Sequence, residues 1–254
     1  MQREIKRAFE SIVRIPSSVT SPNPDAAPIG SAAALQLHLQ RLKGLRGRGA
    51  KLPARLAEMK EWQSRRLAQS YADVAVIPRY RKATSFFLDD LYGAKDFSGR
   101  DLAMLRIFPV MVRVLPASAV ETAALAIELE AVSEDLDQRL AAALAEGPLT
   151  EAMYADAYLR SATPREREYQ IELIDAVGHR LDALVKKPLV GRTLKLMRHP
   201  ARVAGLSDLQ DFLERGFEAF RQMRGADEFL QLLRQRELEI ARRLFSGEPE
   251  PFSV

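Results

Sequence analysis

The run Phe86-Phe87-Leu88-Asp89-Asp90-Leu91-Tyr92-Gly93-Ala94-Lys95-Asp96-Phe97-Ser98-Gly99-Arg100-Asp101 is the densest aromatic cluster of the chain, and it holds a helix stop and a helix start. Phe87 and Leu91 are four apart, as are Leu88 and Tyr92, which places all four on one face of a helix. Asp89 and Asp90 are then expected on the other side. Gly93 suits the left-handed residue that ends a helix. Ser98, with Asp101 three residues on, resembles a capping box that opens the next one. The stretch reads as helix, tight connection, helix, with Phe97 as a plug between them.

The same pattern extends in both directions. Before the run, a helix starts near Ser31 with Leu35, Leu39 and Leu42 on one face, and Lys43 to Lys51 reads as a flexible basic loop rich in glycine. Pro53 opens the next helix, with Leu56, Met59, Trp62 and Leu67 inward and Arg55, Lys60, Arg65 and Arg66 outward. After the run, Pro109 and Pro116 interrupt, and Ser118 with Glu121 opens a long helix to about Glu146. Thr163-Pro164-Arg165-Glu166 is a full start signal, with cap, proline and capping glutamate. Pro188 and Pro200 bracket a short basic helix. Two more follow, separated by Gly225, the last carrying Phe229, Leu233, Ile240 and Leu244. Val74-Ala75-Val76-Ile77 is the only strand-like run. The fold class is all-α, a single multi-helix bundle of roughly eight to ten helices. Residues 1–30, with Pro16, Pro22, Pro24 and Pro28, form an N-terminal arm and Pro-rich linker. Residues 31–246 form the helical domain, and 247–254 a frayed tail.

The quoted run resembles the signature of an uncharacterised family of helical bacterial proteins. The segments Leu209-Gln210-Asp211-Phe212-Leu213-Glu214-Arg215-Gly216-Phe217 and Met223-Arg224-Gly225-Ala226 are similar to the same group, so the resemblance spans about residues 50–245. It implies the helical fold and carries no activity, cofactor or catalytic residue.

The 254 residues are 47% hydrophobic, enough to bury a sizeable core and to exclude wholesale disorder. Without cysteine there is no disulfide, thiolate metal site or cysteine nucleophile. No apolar run approaches a membrane span, and Met1 to Ile15 lacks the apolar core of a secretory leader, so a cytoplasmic protein is expected. The net charge of +4 is uneven. Residues 1–82 hold sixteen basic and six acidic residues, +10, and the remainder twenty-two basic and twenty-eight acidic, −6. Such a split points to an acidic partner, or to pairing of the two parts with each other.

Catalytic patterns are absent: no Gly-x-Ser-x-Gly elbow, no phosphate loop, no dinucleotide fingerprint after a strand. Glu168, Glu172, Asp175 and His179 align along one helix, but nearly opposite its apolar face, so a solvated face is expected and no metal site. His38 and His199 carry no haem-binding motif, and no cofactor is expected. Glu237 falls on the apolar face of the last helix and needs a partner, with Arg100, Arg106 or a neighbouring arginine available.

The leading reading is a helical interaction or regulatory protein, leaning away from an enzyme. Its basic N-terminal region would meet an acidic partner through Arg46, Arg48, Lys51, Arg55, Arg65, Arg66, Arg79, Arg81 and Lys82. The alternative is a buried pocket for an apolar ligand or cofactor among Phe87, Tyr92, Phe97, Phe217 and Glu237, with Tyr92 as its polar handle and catalysis an open option. Nucleic-acid binding ranks third.

Overall fold

A computed structural model describes residues 32–49, 54–91 and 117–253. The arm at 1–30, Lys51, Tyr92, Phe97, Arg100, Arg106 and the side chain of Arg48 lie outside the described residues. The helices are α1 (Ala32–Gly49), α2 (Ala54–Ser70), α3 (Ala72–Ala75), α4 (Arg81–Phe86), which runs on into a π-helical turn (Phe87–Leu91), α5 (Ala117–Ala143), α6 (Glu151–Ser161), α7 (Pro164–Val185), α8 (Pro188–Val203), α9 (Ser207–Met223) and α10 (Asp227–Ser246). There is no strand among the described residues, and the architecture is an all-α bundle.

Leu35, Leu39, Leu42 and Leu45 follow one another by three or four residues and so line one side of α1. They are buried against Val120, Ala124, Ile127 and Ala131 of α5. The opposite side of α5 presents Leu125 to Tyr169, Leu173 and Val177 of α7. Its C-terminal half packs Leu140 and Ala141 with Leu56 and Met59 of α2, Tyr154 and Tyr158 of α6, and Ile240 and Leu244 of α10. The fourth cluster joins Tyr71, Phe86 and Phe87 to Ala219, Phe220 and Met223 of α9 and to Phe229 and Leu230 of α10. The start at Thr163 is the capping box its sequence announces: Thr163 Oγ1 accepts from the Glu166 N–H at 3.3 Å, and Glu166 Oε2 accepts from the Thr163 N–H at 2.8 Å.

Several local expectations give way to tertiary structure. Asp89 is exposed, but Asp90 is buried and accepts two hydrogen bonds from Arg215 at 2.7 and 3.0 Å. The π turn closes its hydrogen bonds five residues apart, which rotates Asp90 off the outer face. The glycine-rich stretch after Lys43 is helix, not loop, as far as Gly49. Leu45 is buried there, Arg46 bonds Glu130, and Gln138 Nε2 donates to the Leu45 carbonyl at 3.1 Å. These contacts outweigh the low helix propensity of glycine. Ser118 lies inside the first turn of α5, and Glu121 reaches Arg180 at 3.0 Å instead of capping. Pro200 does not end α8, which runs to Val203. The stop is at Gly205, φ +69°, where the N–H groups of Gly205 and Leu206 bond the Arg202 and Ala201 carbonyls. The tail expected to fray packs down, with Pro251 buried and the Phe252 ring 5.6 Å from Trp62.

Gly216 of α9 lies under the Phe86 ring, and a Cβ there would meet Phe86 Cζ at 2.8 Å. Gly44, in exposed helix, has nothing within 4 Å of an added Cβ. Gly44→Ala is therefore expected to stabilise the protein by up to about 1 kcal/mol in urea unfolding. Gly216→Ala is expected to destabilise it by about 1–2 kcal/mol, overpacking outweighing the same propensity gain.

Candidate functional site

The basic residues singled out in the first third of the chain are largely occupied inside the fold. Arg46 pairs with Glu130, and Arg66 with Glu237 at 3.1 Å. Arg79 reaches Glu228 at 2.7 Å and the carbonyls of Met223 and Gly225. Lys82 lies 3.5 Å from Glu218. Arg55 bonds Glu58 and the carbonyls of Ala145 and Gly147 in the turn after α5. Lys60 bridges to Glu134 at 2.8 Å. Arg65 and Arg81 are exposed and form no ion pair among the described residues. Among the described residues, most cations of the first third thus meet carboxylates of the remainder within the molecule.

Of the candidate pocket residues, Phe87 and Glu237 come together through Tyr71. The Phe87 and Tyr71 rings stand edge to face at 6.3 Å, and the Tyr71 hydroxyl donates to Glu237 Oε1 at 2.8 Å. The partner of Glu237 is Arg66, which is largely buried rather than outward. The signal for this was in the sequence: Arg66 is seven residues after Met59 and four after Trp62, on the apolar face of α2. Phe217 goes elsewhere, its ring lying over Gly191 of α8.

Around Arg66 the interior is polar and aromatic. Its guanidinium sits 5.3 Å from the Phe252 ring. Trp62 stacks on Tyr154 at 4.3 Å, and Gln63 donates to Asp137 at 3.2 Å and to the Tyr154 hydroxyl at 3.1 Å. Arg167, only 4% exposed, lies 4.3 Å over the Tyr158 ring, donates to Gln170, and leaves Nε and Nη2 without a hydrogen-bond partner among the described residues. Burial pushes the Asp137 carboxyl up, opposed by Lys60 and Arg167. Among the described residues no three His, Asp or Glu side chains are grouped to hold a metal ion. Glu172 pairs with Arg165 at 2.9 Å, and His179 lies exposed beside Asp175 and Asp227.

Sequence reasoning missed a second buried polar group. His38 Nε2 lies 3.4 Å from Glu128 Oε2, and the Tyr169 hydroxyl donates to Glu128 Oε1. This joins α1, α5 and α7. Burial holds the His38 imidazole below the ordinary histidine range, with Arg41 adding to the effect and Glu128 opposing it. The signal was His38 falling three residues after Leu35, on the leucine face itself rather than at its edge.

The exposed cations gather instead on α8. Between Asp182 and Asp208 the chain carries six basic residues and no acidic one. Lys186 pairs with Asp182 and Arg198 with Glu214. Arg192, Lys195 and Arg202 are exposed and form no ion pair among the described residues. Beside them Leu189, Leu196 and Val203 are 72%, 77% and 75% exposed. The inner side of α8 is held down by the buried Ala201, by Gly191 against Phe217, and by Gln210 Nε2 donating to the Leu194 carbonyl at 2.7 Å. The sequence marked this helix as basic. Its exposed leucines were not legible, because an apolar residue carries no mark of whether a neighbour covers it.

Two outcomes follow from the interior. Glu237→Leu strands the Arg66 charge and is expected to cost about 3 kcal/mol in urea unfolding, whereas Arg66→Met/Glu237→Leu costs less than that single substitution. For His38 the unfolded chain takes up a proton at a pH where the folded one does not. Its contribution to stability is therefore complete above the ordinary histidine value of 6.5 and is lost as the pH falls below it. As the pH falls from about 7.5 to about 5.5, the wild type is expected to lose more stability than His38→Gln, read from urea midpoints.

A family model described as a domain of unknown function, DUF8198, matches residues 45–251. The match begins within the last turns of α1, takes in both buried polar groups except His38, and includes all of α8. No curated protein and no solved structure matches the chain. The family match covers most of the chain, which belongs to the DUF8198 family, a domain of unknown function.

Proposed function

We propose that the protein is a helical interaction protein that meets an acidic partner, and that the meeting surface is the outer side of α8. The reading rests on one observation: Arg192, Lys195 and Arg202 stand unpaired among the described residues, with no acidic residue anywhere from 183 to 207, beside three exposed aliphatic side chains. Unpaired cations on one face raise the local positive potential and steer acidic partners toward it. Most of the described basic side chains before residue 83 contribute less, because carboxylates of the same chain already pair with them. A buried ligand pocket draws on Phe87 and Glu237 meeting at Tyr71, but Arg66 and the Tyr71 hydroxyl already fill the hydrogen-bonding positions at Glu237 Oε1.

Retention of the full chain on immobilised polyglutamate tests the reading. Arg192→Glu/Arg202→Glu is expected to elute at clearly lower salt than the wild type, and Arg65→Glu/Arg81→Glu, which changes the charge equally, to shift far less. Equal shifts for the two pairs, or none, would show that α8 is not the acidic-partner surface.

A further inference from the structure

Leu189, Leu196 and Val203 recur every seven residues, which stacks them in a single line two turns apart along α8. A partner helix would need a second apolar row three or four residues on, interleaved with the first. Those positions hold Arg192 or Thr193, and His199 or Pro200. The line is therefore not half of a coiled-coil seam. A second row, Arg192, Lys195, His199 and Arg202, steps by three and four and runs beside the apolar line. One row of aliphatic residues flanked by one row of cations, on a helix whose other side is fastened to α9, matches a flat surface that is negative outside and apolar just beneath.

We infer that the outer side of α8 rests on an anionic phospholipid bilayer, with Leu189, Leu196 and Val203 entering the acyl boundary and Arg192, Lys195 and Arg202 meeting lipid phosphates. The inference rests on the reading of α8 as the acidic-partner surface and names that partner. Arginine and lysine stems run along the apolar boundary while their charged ends stay at the headgroups, so cations next to the aliphatic line stay solvated as it enters. The chain's own remaining segments do not supply the negative charge. Residues 1–31 carry four basic and three acidic residues, and residues 92–116 four basic and two acidic. Among the described residues no helix is long and apolar enough to cross a membrane, so the contact made by α8 is one of surface.

The test is co-sedimentation of the full chain with vesicles of phosphatidylcholine alone and of equal parts phosphatidylcholine and phosphatidylglycerol. Binding to the anionic vesicles is expected, weakened by salt, with little to the neutral ones. Each cation near an anionic leaflet contributes about fivefold in affinity, so Arg192→Gln/Lys195→Gln/Arg202→Gln is expected to weaken binding by about a hundredfold. Leu189→Ser/Leu196→Ser/Val203→Ser is expected to weaken it by at least about tenfold without altering retention on polyglutamate. All six side chains are exposed, and unchanged thermal unfolding verifies that both variants fold. No anionic-vesicle binding while α8-dependent polyglutamate retention persists would overturn the lipid inference and leave an acidic protein as the partner. Vesicle binding indifferent to both variants would overturn it by placing the contact elsewhere. A dimer in sedimentation velocity that the serine variant dissolves would overturn it in favour of a second copy of the chain. Loss of the polyglutamate effect itself would instead remove the reading beneath it.

Discussion

The Arg66–Glu237 pair, with Tyr71 on the same carboxylate oxygen, fixes how the two ends of the bundle meet. Its partners are 171 residues apart in sequence and tie α2 to α10. Two largely buried charges this close hold their attraction only while the geometry is kept, since either alone in the interior is strongly unfavourable. The surrounding aromatic residues make that geometry durable. Trp62, Tyr154 and Phe252 form mutually packed rings beside the pair, and Tyr71 connects it to Phe87 and so to the cluster under α4, α9 and α10. A slip of α10 by one residue would separate the charges and misplace the rings together. The pair thus selects one register where apolar packing alone tolerates several.

Helix class and most helix starts were legible, because caps, prolines and three-to-four spacing act within a few residues. Thr163 to Glu166 shows this: four consecutive residues carry the whole signal, and the box forms as written. The errors lie where distant contacts decide. Nothing local tells that Gln138 and Glu130 hold the glycine-rich end of α1 helical, or that a π turn brings Asp90 round to Arg215. Glu237 was recognisable as a buried charge from its position among leucines, but not its partner, because pairing across the bundle depends on which helices become neighbours. The grouping of Phe217 with Phe87 assumed that all the aromatics share one cluster, whereas Phe217 is taken by Gly191 of α8.

The charge asymmetry shows how composition can mislead. A strongly positive third suggests an outward-facing surface, yet α5 sets Glu130, Glu134 and Asp135 against Arg46, Lys60 and Arg41. Several of these pairs are partly exposed, and each is worth little on its own. Together they offset part of the field that the sequence count implies. The stretch from 183 to 207 was less conspicuous, with six cations against sixteen, but no carboxylate of its own. What a surface presents is the charge left after internal pairing; among the described residues Arg192, Lys195 and Arg202 share one helix, whereas Lys43, Arg65 and Arg81 are spread over α1, α2 and α4.

The Phe252 ring over Arg66 bears on how the chain is made. Ribosomal synthesis delivers α2 long before α10, so Arg66 first sits among apolar neighbours as a cation with no carboxylate to meet. The carboxylate arrives with residue 237, and the ring that shields the pair from water only with residue 252. Until then α2 is a helix whose inner face keeps a hydrated charge, which opposes premature closure of the interior on a wrong neighbour. Of the segments around Arg66, the one that shuts the core is therefore the one made after all the others.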